Sequence, residues 1–191
     1  KRSTIQWERP LHFTGGNSNR KSSKYFQGCY AWDLYKQGGV QLAYDPKMDR
    51  AVFIIGDGDS MTVVGRKLSG RAHKWHTYHR AGATPVLRTG TSDTLVVVED
   101  VASACVVAQT YPCLSLLSTS MSIEDLTTCL GYGRILVCLD PDAYSKCVQI
   151  AQRVGPLVGY ACAIRIPNDL KYFTPAEVKG ILECSSQWKL T

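Results

Sequence analysis

The chain has 191 residues, 45% of them hydrophobic, with eight cysteines and a formal net charge of +6. That length suits one or two domains with a sizeable core. Glu99, Asp100, Asp140 and Arg165 interrupt the best apolar stretches, so none approaches the roughly 18 residues of a membrane span. Nothing at the start has signal-peptide character, so a cytoplasmic protein is expected. The first residue is Lys1 rather than methionine, which leads to the expectation of a piece excised from a longer chain.

Charge divides the sequence. Residues 1–90 carry fifteen bases against six acids, a net of +9, whereas residues 91–191 carry seven against ten, a net of −3. A basic half joined to an acidic one suits a polyanion held by one part and worked on by the other.

In chain order, residues 1–38 include the polar, basic tract NSNRKSSK (17–24), expected to be a loop or flexible lead-in. Residues 39–90 are strand-and-turn sequence. VQLAY (40–44), AVFII (51–55) and MTVVG (61–65) are short β-rich runs separated by DPKMDR and GDGDS, and they predict an antiparallel meander. From residue 94 strands alternate with helices. Strands are expected at 95–99, 113–117, 135–139 and 160–166, and helices near 101–110, 122–130, 143–154 and 175–185. Thr174, Pro175 and Glu177 mark the last helix start as N-cap, first helical position and capping-box acid; Ser122 and Asp125 mark another. Four such βα units imply an α/β fold with a largely parallel four-stranded sheet flanked by helices. The expected division is therefore 1–90, a basic subdomain rich in antiparallel β-structure, and 91–191, a catalytic one.

Six cysteines, at 105, 113, 129, 138, 147 and 162, lie in apolar stretches. With no C-x-x-C and no structural-zinc spacing, they read as reduced core thiols. His73, His76 and His79 recur every third residue, but no fourth ligand or helical pattern accompanies them, and phosphate contacts or plain loop histidines suit them better than zinc.

Acid marks the ends of two apolar runs: Glu99 closes LVVVE, and Asp140 and Asp142 close ILVCLDPD. The carboxyl edge of a parallel sheet is where open α/β folds bind ligands. Carboxylates converging there call for a hard cation, Mg²⁺ (or Mn²⁺), which takes oxygen ligands and leaves room for substrate phosphates. Asp140 and Asp142, two residues apart, are expected on one side of the chain, with Pro141 holding Asp140 extended. Alone, Asp-Pro-Asp also reads as a solvated turn; Glu99, together with the family resemblance of the segments around it, favours the metal site.

LVVVEDVASACVVA followed by RILVCLDPDAYSKCVQIA resembles the Toprim domain shared by bacterial-type primases, topoisomerases and some nucleases, with a glutamate ending the first strand and Asp-x-Asp ending the third. IPNDLKYFTPAEV is similar to the Asp-x-Lys segment that follows in primases. Upstream, Arg50, the strand 51–55, the turn 56–60, Gly65–Arg66 and Lys74–Trp75 resemble in order the basic segment of bacteriophage and bacterial primases. The likeness covers residues ~40–185 and implies a Toprim fold and DNA-templated synthesis of short RNA primers from ribonucleoside triphosphates, a nucleotidyltransferase activity.

It further implies Glu99, Asp140 and Asp142 as catalytic residues and metal ligands, with Asp169 as a further ligand. Asp100 stands where the family usually has glycine, and either joins the metal or caps the following helix. Arg66 and Lys74, then Arg50, Lys67 and Lys171, are the expected phosphate contacts. Trp75 and Tyr78 are expected to stack a base or contact template, although Trp75 reads equally as a packing aromatic. Implied partners are a single-stranded DNA template, NTPs, a replicative helicase and a zinc-binding module, fused or separate, in the cytoplasm of a bacterial host if the chain is phage-encoded. Neither zinc-ribbon cysteines nor a P-loop occurs in these 191 residues. Strand cleavage by a Toprim nuclease or topoisomerase, and a non-catalytic single-stranded-DNA-binding module, are the alternatives.

Overall fold

The β-rich runs between residues 40 and 67 pair as hairpins, and two elements the sequence did not mark extend them into a five-stranded sheet. In the computed structural model, which describes residues 7–71 and 73–187, its antiparallel order is β1 (Thr14–Gly15), β2 (Gln41–Asp45), β3 (Arg50–Ile55), β4 (Thr62–Lys67) and β5 (Trp75–Arg80). The β2–β3 turn is closed by buried Asp45, whose Oδ1 accepts the N–H groups of Lys47 at 2.9 Å and Met48 at 3.2 Å. This is the local side-chain turn that aspartate favours.

Residues 17–24 are not a loop. They open helix α1 (Arg20–Gly28), which is followed by α2 (Ala31–Lys36). Asn19 Oδ1 accepts from Lys21 N and Ser22 N, satisfying N–H groups that a helix start otherwise leaves orphaned. The tract looks unstructured because its buried face is narrow, comprising Ser22 and Phe26. Phe26 meets Phe53 edge-on at 5.1 Å between centroids and covers one side of the sheet. The opposite side buries Phe13, Ala43, Val52, Ile54 and Val63. Residues 1–6 of the expected lead-in lie outside the described residues.

Strand β5 is the second correction, because WHTYHR is polar on both faces and carries no alternating apolar signal. It pairs with β4 through a bulge, as Val63 is opposite His79 but Val64 opposite Thr77, leaving Tyr78 as the extra residue.

The chain divides between Pro85 and Val86. Leu87 and Cys113 exchange both backbone hydrogen bonds, at 2.9 and 2.8 Å, and so tie residues just after the division to the second unit. That unit holds a four-stranded parallel sheet in the order β7 (Cys113–Ser115), β6 (Thr94–Val98), β8 (Arg134–Val137), β9 (Tyr160–Ala163). Its helices are α3 (Val101–Val107), α4 (Ile123–Cys129), α5 (Tyr144–Val158) and α6 (Pro175–Gln187). Both marked helix starts carry their reciprocal caps: Ser122 with Asp125, and Thr174 with Glu177. Leu95 and Val97, alternate residues of β6, share a core cluster with Leu126 and Cys129 of α4 and Cys147, Ile150 and Val154 of α5. Helix α3 packs against β6, β7 and α6. Seven cysteines are buried and Cys184 is exposed. Among the described residues no helix is long and apolar enough to cross a membrane.

Gly65 shows how tightly the first sheet is packed. A Cβ there would lie 2.7 Å from Tyr78 Cε2, a clash, and 3.1 Å from Arg50 Cδ, a tight contact. Gly65→Ala is expected to destabilise the chain by about 1–3 kcal/mol through overpacking, read as a lower urea midpoint in equilibrium denaturation.

Candidate functional site

Register brings the acids together. Val97 of β6 is opposite Val137 of β8, and Cys138 N donates to Val97 O at 2.8 Å as the ladder ends. The next donor, Leu139 N, turns instead to Cys147 Sγ at 3.2 Å. The strand therefore stops at Val137, earlier than the expected 139, and Asp140 leads into a 3-10 turn, Pro141–Ala143, closed by Ala143 N on Asp140 O at 2.9 Å. Asp142 sits within that turn, so a strand's two-residue repeat does not govern its direction. Asp140 does have the extended backbone expected before proline (φ −54°, ψ 153°).

Just after β6, the carbonyl of Glu99 accepts from Leu117 N at 2.8 Å and Ser115 Oγ at 3.2 Å. Its half-buried carboxyl is pushed above the ordinary value of 4.5, first by burial and then by the negative charges of Asp140, Asp100 and Asp142, with Lys171 opposing. Glu99, Asp140 and Asp142 are thus within electrostatic reach of one another. Among the described residues no group of three or more His, Cys, Asp or Glu side chains is gathered as a ready-made metal cage. The donor set nevertheless fits a hard divalent cation: it offers oxygen alone, and its members repel one another in a way that a cation would reverse.

Asp100 and Asp169 have a different environment. Asp100 is buried and caps α3, its Oδ1 accepting from Ser103 N at 2.8 Å, which is the capping alternative raised for it above. Its Oδ2 lies 2.8 Å from Lys171 Nζ, and Asp169 Oδ2 lies 2.6 Å from the same nitrogen. Lys171 comes from the 3-10 turn Leu170–Tyr172 that packs on α3. Burial alone would lower its pKa, but Asp100, Asp169 and Asp140 together hold it above the ordinary value. Expected as a phosphate contact, this ammonium is buried between two carboxylates instead.

In the basic unit the expected phosphate and base contacts separate into inner and outer groups. Arg50 is buried; its guanidinium donates to the carbonyls of Gly65 (3.1 Å), His73 (2.9 Å) and Lys74 (3.4 Å). It holds strands together from inside. Lys67 Nζ donates to Met48 O at 2.6 Å, whereas the Lys74 side chain is exposed. Arg66 lies 5.9 Å from the Tyr25 ring and 5.6 Å from the Trp75 ring, and its buried Nη1 has no hydrogen-bond partner. That nitrogen finds no acceptor among the described residues, and a buried donor without one is costly. Trp75 also packs at 6.1 Å from Phe53. Tyr78 faces inward: its hydroxyl donates to Asp45 Oδ2 at 2.5 Å and its ring meets Phe13 edge-on at 5.3 Å. Burial, then the bond to Asp45, raises its pKa.

Lys146 and Arg153 share one face of α5 and, with Thr119, Ser120 and Gln149, line a shallow cleft of about 200 Å³ whose lining contains no carboxylate. Their i, i+7 spacing was the available signal.

No family model matches the sequence, and no curated protein sequence matches it. Among solved structures the chain is similar to the E. coli primase catalytic core, with a TM-score of 0.54 and 14% identity. The likeness covers 89% of this chain but 62% of that one, and at this identity it establishes a shared fold.

The raised Glu99 pKa has a stability consequence. The native state holds that proton more tightly than the unfolded chain does, so stability is lost as pH rises through the folded value. Glu99→Gln is therefore expected to stabilise the chain at about pH 7 in EDTA and to leave it unchanged near about pH 3.5, compared by urea denaturation at the two pH values.

Proposed function

We propose that this chain is the catalytic part of a Toprim-type DNA primase, making short RNA primers on a single-stranded DNA template by magnesium-dependent (or manganese-dependent) nucleotidyl transfer. The observation that carries the reading is the set of strand-end acids Glu99, Asp140 and Asp142 on a parallel sheet, in a fold similar to a primase catalytic core. Glu99, Asp140 and Asp142 are the residues that would hold the divalent ion. Bound there, the ion would neutralise substrate phosphates and favour the ionised form of the attacking hydroxyl.

The side chains supply the remainder. Glu99, which binds a proton more tightly than an ordinary carboxylate, suits a group that accepts the proton of a primer 3′-hydroxyl. The partly exposed Arg66, near the Tyr25 and Trp75 rings, and the exposed Lys74 suit the triphosphate of an incoming nucleotide, with Lys67 beside them in sequence. Trp75 suits stacking of a base. Arg50 and Tyr78 act through the strands and the turn that they hold. A replicative helicase and a zinc-binding module remain the proposed partners.

Incubating the chain with single-stranded DNA, Mg²⁺ and labelled NTPs tests the reading: template-dependent RNA of primer length is expected, whereas nicked DNA or binding alone would overturn it. Asp140→Ala and Asp142→Ala are each expected to reduce synthesis by about a hundredfold or more, with unchanged circular dichroism. Arg66→Ala is expected to raise the KM for NTPs by about tenfold, measured from initial rates at saturating template.

A further inference from the structure

Residues 91–191 hold ten acids and seven bases, and six of those bases are among the described residues. Four of the six have partners within their own unit. Lys171 lies between Asp100 and Asp169, Lys179 pairs with Glu183 at 3.8 Å, and Arg134 and Arg165 lie over the rings of Tyr160 and Tyr144. The other two are Lys146 and Arg153, both exposed, and among the described residues neither forms an ion pair. Two cations gathered in a carboxylate-free cleft, on a unit where acid is in excess, leave an anion from outside the chain as their natural counter-charge. We propose that Lys146 and Arg153, with the hydroxyls of Thr119 and Ser120, are a contact site for the phosphodiester backbone of single-stranded DNA. This rests on the reading that the acidic edge works on a nucleic-acid template.

The cleft begins at the same end of the sheet as the acids. Leu117 N bonds the Glu99 carbonyl, and the chain then runs through Ser118 into the cleft wall at Thr119. Lys146 stands about one helical turn beyond Asp142. Ser118 Oγ accepts the N–H of Ser120 at 3.1 Å and donates to its carbonyl at 2.8 Å, a tight local turn that leaves Ser120 exposed. Arg153 Nη1 donates to Met121 O at 3.0 Å, which anchors the guanidinium to the opposite wall of the cleft. Lys146 Nζ lies 3.5 Å from Gln149 Oε1, a weak contact that a phosphate oxygen would readily replace.

Two dimensions favour a strand over a small anion. The cleft's volume of about 200 Å³ falls below the roughly 300–1,000 Å³ of pockets that enclose a small molecule. An i, i+7 pair is offset by roughly 10 Å along a helix, whereas a nucleic-acid strand carries a phosphate every ~3.4 Å of duplex axis. A strand lying along α5 therefore offers different phosphates to the two cations.

Fluorescence anisotropy of a labelled, mixed-sequence DNA oligonucleotide, titrated with the whole chain at several salt concentrations, tests the site. Each phosphate contact to a single strand contributes about 0.7 to the slope of log affinity against log salt. Lys146→Gln and Arg153→Gln are each expected to lower that slope by about 0.7 and to weaken binding about threefold to tenfold near ~0.1 M salt, with circular dichroism unchanged. Arg153→Lys, which keeps the charge, is expected to keep the slope. Unchanged slope and affinity in the two glutamine variants would overturn the inference, as would a folded, unsubstituted chain that binds no oligonucleotide. If Arg153→Gln does not fold, Lys146→Gln, at an exposed side chain, decides alone. A KM for NTPs raised about tenfold in Lys146→Gln, with oligonucleotide binding intact, would assign the cleft to a nucleotide and overturn the inference as well. A lowered slope in the variants, found together with no primer synthesis by the unsubstituted chain, would support the contact site while overturning the primase reading.

Discussion

The parallel pairing of β6 with β8 is the constraint from which the rest of the acidic edge follows. With Leu95 opposite Ile135 and Val97 opposite Val137, two runs far apart in sequence end at one level, and whatever follows them must share that edge. The ladder then closes in a particular way: Cys138 N still reaches Val97 O, but Leu139 N is taken by the Cys147 thiol. The chain peels away one residue before Asp140. On the facing strand, Ser115 and Leu117 hold the Glu99 carbonyl. Backbone bonds thus keep repelling carboxylates close to one another, and burial first, then that repulsion, raises the proton affinity of Glu99.

Glu99 and Asp100 are adjacent in sequence and have opposite fates. Successive side chains leave an extended strand on opposite sides, and Asp100 is still extended (φ −117°, ψ 160°). One carboxylate remains half-exposed beside Asp140 and Asp142, while the other is buried at the start of α3 against Lys171. Where the sequence offers an aspartate after the strand-end glutamate, the structure uses it as a cap and as half of a buried ion pair.

Much of this was legible because apolar runs report burial directly. β3, β6 and β8 lie within or close to the runs AVFII, LVVVE and ILVCL, and the helix starts at Ser122 and Thr174 carry paired donors and acceptors that show in the residue types. Elements that bury little were harder to see. Helix α1 has Ser22 and Phe26 as its buried residues, and β5 has none that is fully buried. Charge was legible as a total but not as a direction. Arg50 and Lys74 look alike in a basic stretch, yet one lies within the sheet and the other is in solvent, a difference set by tertiary packing. Lys171 likewise reads as a surface base until the fold places Asp100, seventy-one residues earlier, against it.

The bulge in β5 bears on how the basic unit behaves among other chains. Among the described residues β5 is the last strand of its sheet, and edge strands are where β-proteins recruit one another into aggregates. The extra residue at Tyr78 interrupts the regular spacing that a second strand would need for pairing. His76, Thr77 and Arg80 add polar side chains along the same rim, and Tyr78 is anchored inward on Asp45. The distortion that hid this strand from its own sequence pattern also makes it a poorer template for intermolecular β-pairing.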